Sequence, residues 1–189
     1  CIVGDIGELF LTSDGGTTWS SRPRHTKADL HSVYFTDSLH GWTVGLGGTI
    51  LKTSNGGTDW TKQLSGTILH LREVQFIDSL RGWIVGGDGY KWNFLKTSDG
   101  GNNWELTENT ENGPLYSLSF IDPQTGWAAG QYKIKKTIDG GTNWVVQKTS
   151  TTSSFYTVRF ADYQTGWVGS DQGLILKTTN GGTTWSSYN

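Results

Sequence analysis

One eight-residue segment, present five times, sets what this chain can become. Thr12-Ser13-Asp14-Gly15-Gly16-Thr17-Thr18-Trp19 returns as Thr53 to Trp60, Thr97 to Trp104, Thr137 to Trp144 and Thr178 to Trp185, with successive tryptophans 41, 44, 40 and 41 residues apart. A second segment interleaves with it: Phe35-Thr36-Asp37-Ser38-Leu39-His40-Gly41-Trp42 is echoed by Phe76 to Trp83, Phe120 to Trp127 and Phe160 to Trp167. Each turn-motif Trp precedes the next Phe by 16 residues. The length variation therefore lies elsewhere in the period, chiefly in a three-residue insertion around Tyr90-Lys91-Trp92.

A period of this length divides into four short strands, exemplified by Ser32 to Phe35, Trp42 to Gly45, Thr49 to Thr53 and Asp59 to Lys62, punctuated by Gly, Asp and Asn. A four-stranded antiparallel sheet cannot bury both of its faces alone, so neighbouring sheets must stack, as the blades of a β-propeller do. Composition agrees: 27 Gly would cost a helical fold about 1 kcal/mol each relative to Ala, while the Val, Thr and aromatic residues favour strands. The expected fold is all-β, a single propeller domain over 1–189 with blade repeats near 1–22, 23–63, 64–107, 108–147 and 148–189. Cys1-Ile2-Val3-Gly4 aligns with Trp42-Thr43-Val44-Gly45, so the first blade is expected to lack its innermost strand, leaving nineteen strands. Two arrangements suit that count: a five-bladed ring with one three-stranded blade, or part of a larger propeller.

Charge narrows the partners. With 15 basic and 17 acidic side chains, the chain lacks the excess that grips nucleic acid or an anionic membrane. No run is long and apolar enough to span a bilayer. The one cysteine, Cys1, leaves no internal disulfide or cysteine zinc site; an acylated Cys1 is the rarer reading and a strand position the commoner one. His25, His31, His40 and His70 form no short-range ligand pair, and no calcium-loop or other cofactor motif is present. No metal or cofactor is expected.

The turn motif explains itself as a folding device. Asp14, Asn55, Asp99, Asp139 and Asn180 can accept backbone N–H bonds, and the Gly pairs permit positive φ. Trp19, Trp60, Trp104, Trp144 and Trp185 can cover the hairpin, each indole N–H seeking an acceptor. Asp37, Asp78, Asp122 and Asp162 repeat after each Phe and read as turn caps rather than catalysts.

The turn motif resembles the Asp-box, or BNR repeat, found in sialidases, xyloglucanases, sortilin-type receptors and noncatalytic propellers. The combination of Phe-x-Asp-x-x-x-Gly-Trp, Trp42-Thr43-Val44-Gly45 and Ile50-Leu51-Lys52-Thr53 with the Gly-Gly turn is more specific. It resembles the repeat of the photosystem II stability and assembly factor family and of related secreted bacterial surface proteins. That resemblance implies a noncatalytic module on the extracytoplasmic side that binds a protein or peptide partner. A glycan-binding or glycosidase-like propeller is the alternative it leaves open.

Catalytic signals are weak. A sialidase needs three arginines converging on a carboxylate, yet the chain has only Arg22, Arg24, Arg72, Arg81 and Arg159. A glycosidase needs two carboxyls facing across a cleft, and Asp88 in the insertion is the one acid outside the repeat that stands out. Lys133, Lys135 and Lys136 read as a solvated face, a phosphate or acidic-peptide site being the sharper alternative.

Residues that vary where the repeat imposes nothing are the better site candidates. Two positions before each Phe lie Val33, Val74, Leu118 and Val158, a core row; four positions before it lie His31, Arg72, Tyr116 and Tyr156, expected near one mouth of the propeller. Tyr90, Lys91 and Trp92 form the second candidate group, an aromatic loop suited to a peptide or sugar.

Overall fold

A computed structural model describes residues 1–110, 113–150 and 152–188, with Gln172 described in its backbone only. Its strands are β1 (Ile2–Val3), β2 (Leu9–Leu11), β3 (Ser20–Ser21), β4 (Leu30–Phe35), β5 (Gly41–Gly45), β6 (Thr49–Thr53), β7 (Thr61–Gln63), β8 (Leu71–Phe76), β9 (Gly82–Asp88) and β10 (Lys91–Thr97). The series continues with β11 (Glu105–Asn109), β12 (Leu115–Phe120), β13 (Gly126–Gly130), β14 (Lys133–Thr137), β15 (Val145–Thr149), β16 (Phe155–Phe160), β17 (Gly166–Ser170), β18 (Ile175–Thr178) and β19 (Ser186–Tyr188). They form one three-stranded sheet, β1-β2-β3, and four four-stranded sheets, each a run of consecutive strands. Strands pair antiparallel, as in Trp42↔Lys52 between β5 and β6 and Trp127↔Lys136 between β13 and β14. These are propeller blades, and the first lacks its inner strand as the alignment required.

The chain divides into two compact units, Cys1–Ile84 with Leu95–Leu106 and Val85–Phe94 with Thr107–Asn189. In the first unit, Trp42, Val44, Ile50, Leu71, Val74, Phe76, Ile84 and Leu95 form one core, and Leu9, Leu30, Leu51 and Trp60 another. In the second, Trp127, Ala129, Ile134, Phe155, Val158, Phe160, Val168 and Leu176 do the same. The valine row behaves as read at Val74, Leu118 and Val158, which are buried, while Val33 is half-buried.

The two repeated aromatics interlock from sheet to sheet. Trp42 stacks face-on upon Phe76 of the next sheet at 3.7 Å, and Trp104 meets that Phe edge-on at 5.9 Å. In the second unit Trp127 stacks upon Phe160 at 3.5 Å, with Trp185 edge-on at 6.0 Å. The indole N–H of Trp42 donates to Gly100 O at 3.2 Å and that of Trp127 to Gly181 O at 3.1 Å, so the Gly-Gly hairpin also receives its neighbour. The glycine before each Trp is required by this packing: a Cβ on Gly82 or Gly166 would strike the ring of Phe76 or Phe160 at 2.6 Å.

Candidate functional site

In every sheet the antiparallel order sets two kinds of end. The four complete sheets carry at one end the turn between first and second strands and the Asp-box hairpin between third and fourth. The opposite end carries the loop between second and third strands and the incoming connection to the first.

At the Asp-box end the bonds are the same throughout. Asp14, Asn55, Asp99, Asp139 and Asn180 each accept through Oδ1 from the backbone N–H four residues on, at 2.8–3.0 Å. The first Thr of the motif does as much as the Asp: Thr97 Oγ1 donates to Asp99 Oδ1 at 2.8 Å and accepts from Gly101 N at 2.9 Å, and Thr12, Thr53, Thr137 and Thr178 repeat both bonds. Sequence reasoning had missed that role, although the invariance of Thr across the five copies was visible. These bonds hold the Asp99 carboxyl down to about 2, the N–H of Asn103 contributing most and its side-chain amide next. Hydrogen bonds from the Thr18 hydroxyl and N–H likewise hold Asp14 to about 2. Asp37, Asp78, Asp122 and Asp162 cap their turns identically, each Oδ1 accepting from the N–H groups two and three residues on. The turn tryptophans are less uniform than expected. Trp19 and Trp60 donate to Gly16 O and Gly57 O, but the indole N–H groups of Trp104, Trp144 and Trp185 are buried without a hydrogen-bond partner.

The four inner-strand candidates fall two to each unit. In the first, exposed His31 on β4 bonds through Nδ1 to Leu71 O at 2.9 Å, the residue before half-buried Arg72 on β8. In the second, Tyr116 on β12 and Tyr156 on β16 stack at 5.1 Å and 27°, and Tyr156 remains 54% exposed. The strands beneath them are tied by Ser117 Oγ, which accepts from Val158 N at 3.0 Å, and by Ser119 Oγ, which accepts from Phe160 N at 3.0 Å. The platform under Tyr156 is therefore rigid. Arg159 is engaged there, donating to Ser117 Oγ and Leu118 O.

The insertion is a lengthened hairpin rather than a free loop. Tyr90 is 84% exposed at its tip and Lys91 is exposed beside it, whereas Trp92 lies inside β10 at 4% exposure. Lys135 Nζ sits over the Trp92 ring at 4.5 Å. The basic run on β14 thus departs from the solvated face read in the sequence: Lys133 and Lys135 are buried, and Lys136 is half-buried, covering Trp127 at 4.8 Å with its pKa lowered by burial. The cause is register. Lys135 stands where the other sheets place Leu51, Leu95 and Leu176, and its methylene stem fills that core position while the ammonium finds an aromatic face.

Arg24 pairs with Glu8 and Arg81 with Asp78, both at 2.6 Å, and Asp88 is exposed at the end of β9. Among the described residues no three His, Cys, Asp or Glu side chains are grouped to hold a metal ion, and no helix is long and apolar enough to cross a membrane.

Antiparallel sheets closed by Asp-box hairpins, with aromatic pairs linking successive sheets, define a BNR-type β-propeller. The family model described as photosynthesis system II assembly factor YCF48 matches residues 23–105, 63–147 and 106–189, and the chain belongs to that family. Among solved structures it is similar to YCF48 bound to D1 peptide, at 22% identity and a TM-score of 0.73 over 97% of this chain and 61% of that one. It is also similar to YCF48 from Cyanidioschyzon merolae, at 22% identity and TM-score 0.68 over 87% of this chain and 57% of that one. A GH74 enzyme from Niastella koreensis shares the fold at 17% identity and TM-score 0.69, covering 98% of this chain and 34% of the enzyme. The chain thus spans about three fifths of the length of the YCF48 structures it matches. No individually curated protein matches its sequence.

Proposed function

We propose that this chain is a noncatalytic propeller module that binds a segment of a protein partner, as an assembly factor does, at the inner-strand ends of the second unit that carry Tyr116 and Tyr156, with His31 and Arg72 as a separate candidate position in the first unit. The observation that carries this reading is the Tyr116–Tyr156 stack, a rigid aromatic platform left half open to solvent at a position where the repeat requires no aromatic. The YCF48 relative bound to D1 peptide supports a peptide as the ligand class. Family membership supports a site of action outside the cytoplasm. Tyr90 and Lys91, exposed at the hairpin tip, supply further contacts, while buried Trp92 acts by holding that hairpin in place.

Fluorescence anisotropy with labelled D1 peptide tests the reading. Arg72→Ala with Tyr116→Ala lowers affinity at least tenfold and shifts the melting temperature little. Unchanged affinity in that double variant overturns the site.

A carbohydrate ligand is the second reading, because a stacked tyrosine face also accepts the apolar face of a sugar ring. Glycan-array binding with a chromogenic glycoside screen separates the two. Turnover lost in Asp88→Asn establishes a glycosidase and removes the noncatalytic reading.

A further inference from the structure

In the first unit, a cavity of about 420 Å³ is lined by Ile6, Arg24, His25, Thr26 and Lys27. It lies at the end of the first sheet opposite the Asp-box hairpin, between the loop joining β1 to β2 and the segment leading into β4. That volume is in the range that takes a small ligand or one end of a longer one.

Ile6 is the unusual wall. It occupies the left-handed region at φ 54 and ψ 32, where the matching loop of the second sheet uses Gly47 at φ 62 and ψ 33. A β-branched residue in that region is a true outlier, and such strain persists where surrounding bonds enforce it and a site makes use of it. Here the enforcing bond is from Ile6 N to Asp29 Oδ1, at 2.8 Å. Core burial does not account for Ile6 there, since its residue is 53% exposed.

The rest of the lining is polar and of one sign. Arg24, His25 and Lys27 are basic, Thr26 is a hydroxyl, and no carboxylate lines the cavity. Two of the nearby acids are turned to structural bonds, Glu8 Oε1 accepting from Arg24 Nη2 at 2.6 Å and Asp29 Oδ1 from the Ile6 N–H, and Asp5, exposed beside Ile6, does not line the cavity. The Glu8 bond fixes the guanidinium while leaving other N–H donors of its fork for a ligand. Thr26 Oγ1 accepts from Ala28 N at 3.0 Å, fixing the segment that carries the basic side chains. His25 Nε2 is buried with no hydrogen-bond partner, a polar atom left for a group the cavity would receive.

We propose that this cavity binds an aliphatic carboxylate, supplied either by the chain end of a peptide or by a free branched-chain acid. The carboxylate takes the donors of Arg24, His25 and Lys27, and its aliphatic portion packs on Ile6. Only the peptide source rests on the peptide-binding reading above; the cavity chemistry is independent of it.

Calorimetric titration of the whole chain with a pentapeptide ending in leucine, its C-terminal amide, acetyl-leucine and inorganic phosphate tests the proposal. The free acid binds at least tenfold more tightly than the amide. Lys27→Glu weakens it at least fivefold. Ile6→Gly, which installs the residue of the matching turn, weakens it about fivefold while raising the melting temperature, a pairing that a purely structural residue would not give. Acetyl-leucine binding as tightly as the pentapeptide assigns the free acid, and weaker binding assigns the chain end. Equal affinity for acid and amide, phosphate binding as tight as the acid, or affinity unchanged in Ile6→Gly overturns the proposal. The preference for free acid over amide persists in Arg72→Ala with Tyr116→Ala, whereas overall peptide affinity falls, so failure here and failure of the inner-strand site are told apart.

Discussion

At the Asp-box end of the sheets, five hairpins repeat the same Thr and Asp or Asn bonds within a few tenths of an ångström. At the opposite end, the loops Asp5–Gly7 and Leu46–Gly48 follow the same left-handed path at their middle residue, yet one carries Ile6 there and the other Gly47. The second unit places Tyr132 at positive φ in the corresponding loop. Uniform chemistry at one end marks what every sheet needs in order to close. Variation on a fixed backbone at the other end marks where side chains are free to meet a ligand. The two ends should therefore respond differently to substitution, stability changing at the first and affinity at the second.

The largest stability effect is expected where the interlock is buried. Trp127→Ala removes a stacked ring and its bond to Gly181 O, and should cost roughly 3–5 kcal/mol in denaturant unfolding. Trp167 occupies the same repeat position but is 39% exposed, so Trp167→Ala should cost clearly less. Equal costs would show that the stacking contributes little.

Next comes the hairpin. Asp99→Ala should lower stability by about 1 kcal/mol, modest because the carboxylate is only half-buried at the surface of the turn, and should leave peptide affinity unchanged. Lost binding at equal stability would reverse the comparison between the ends.

Acid separates the same hairpins more finely. Asp99 has a folded-state pKa of about 2, below its unfolded value, so its contribution is present above about pH 4 and is withdrawn as pH falls towards 2. Asn55 and Asn180 fill the same position without titrating. Asp99→Asn should thus flatten the decline of the unfolding midpoint between about pH 4 and 2. A variant as acid-sensitive as the parent would remove this hairpin from the acid response. The smallest effect is expected at the hairpin tip, where Tyr90→Ala should change stability by no more than about 0.5 kcal/mol in the same unfolding assay, since the side chain is 84% exposed.

Legibility in the sequence followed the same division. The sheets, the missing inner strand and the capping aspartates could be read because each residue had four or five copies against which to infer a common duty. Trp92 and Lys135 could not, since each breaks its row and only packing shows that the breaks meet, a lysine in a leucine position crossing a tryptophan that lengthens a strand. The cavity of the first unit was equally hidden, because its walls come from residues 6 and 24–27 on separate segments. One sequence signal did point there: aligning Cys1 to Gly4 with Trp42 to Gly45 sets Ile6 against Gly47, a branched residue in a place suited to glycine. The Thr hydroxyls repeat as faithfully as the Asp and Asn side chains, but a hydroxyl can donate or accept in many directions, and only the folded turn fixes its two partners.

The ring sandwich also imposes an order on synthesis. Trp42 leaves the ribosome well before Phe76, and Trp127 well before Phe160, so each of these sheets emerges with an indole whose stacking partner has not yet been made. The nascent protein therefore carries a sticky aromatic edge that is quenched only by the arrival of the next inner strand. A pause in translation just before such a strand would prolong that exposure and give chaperones, or misdirected neighbours, their opportunity.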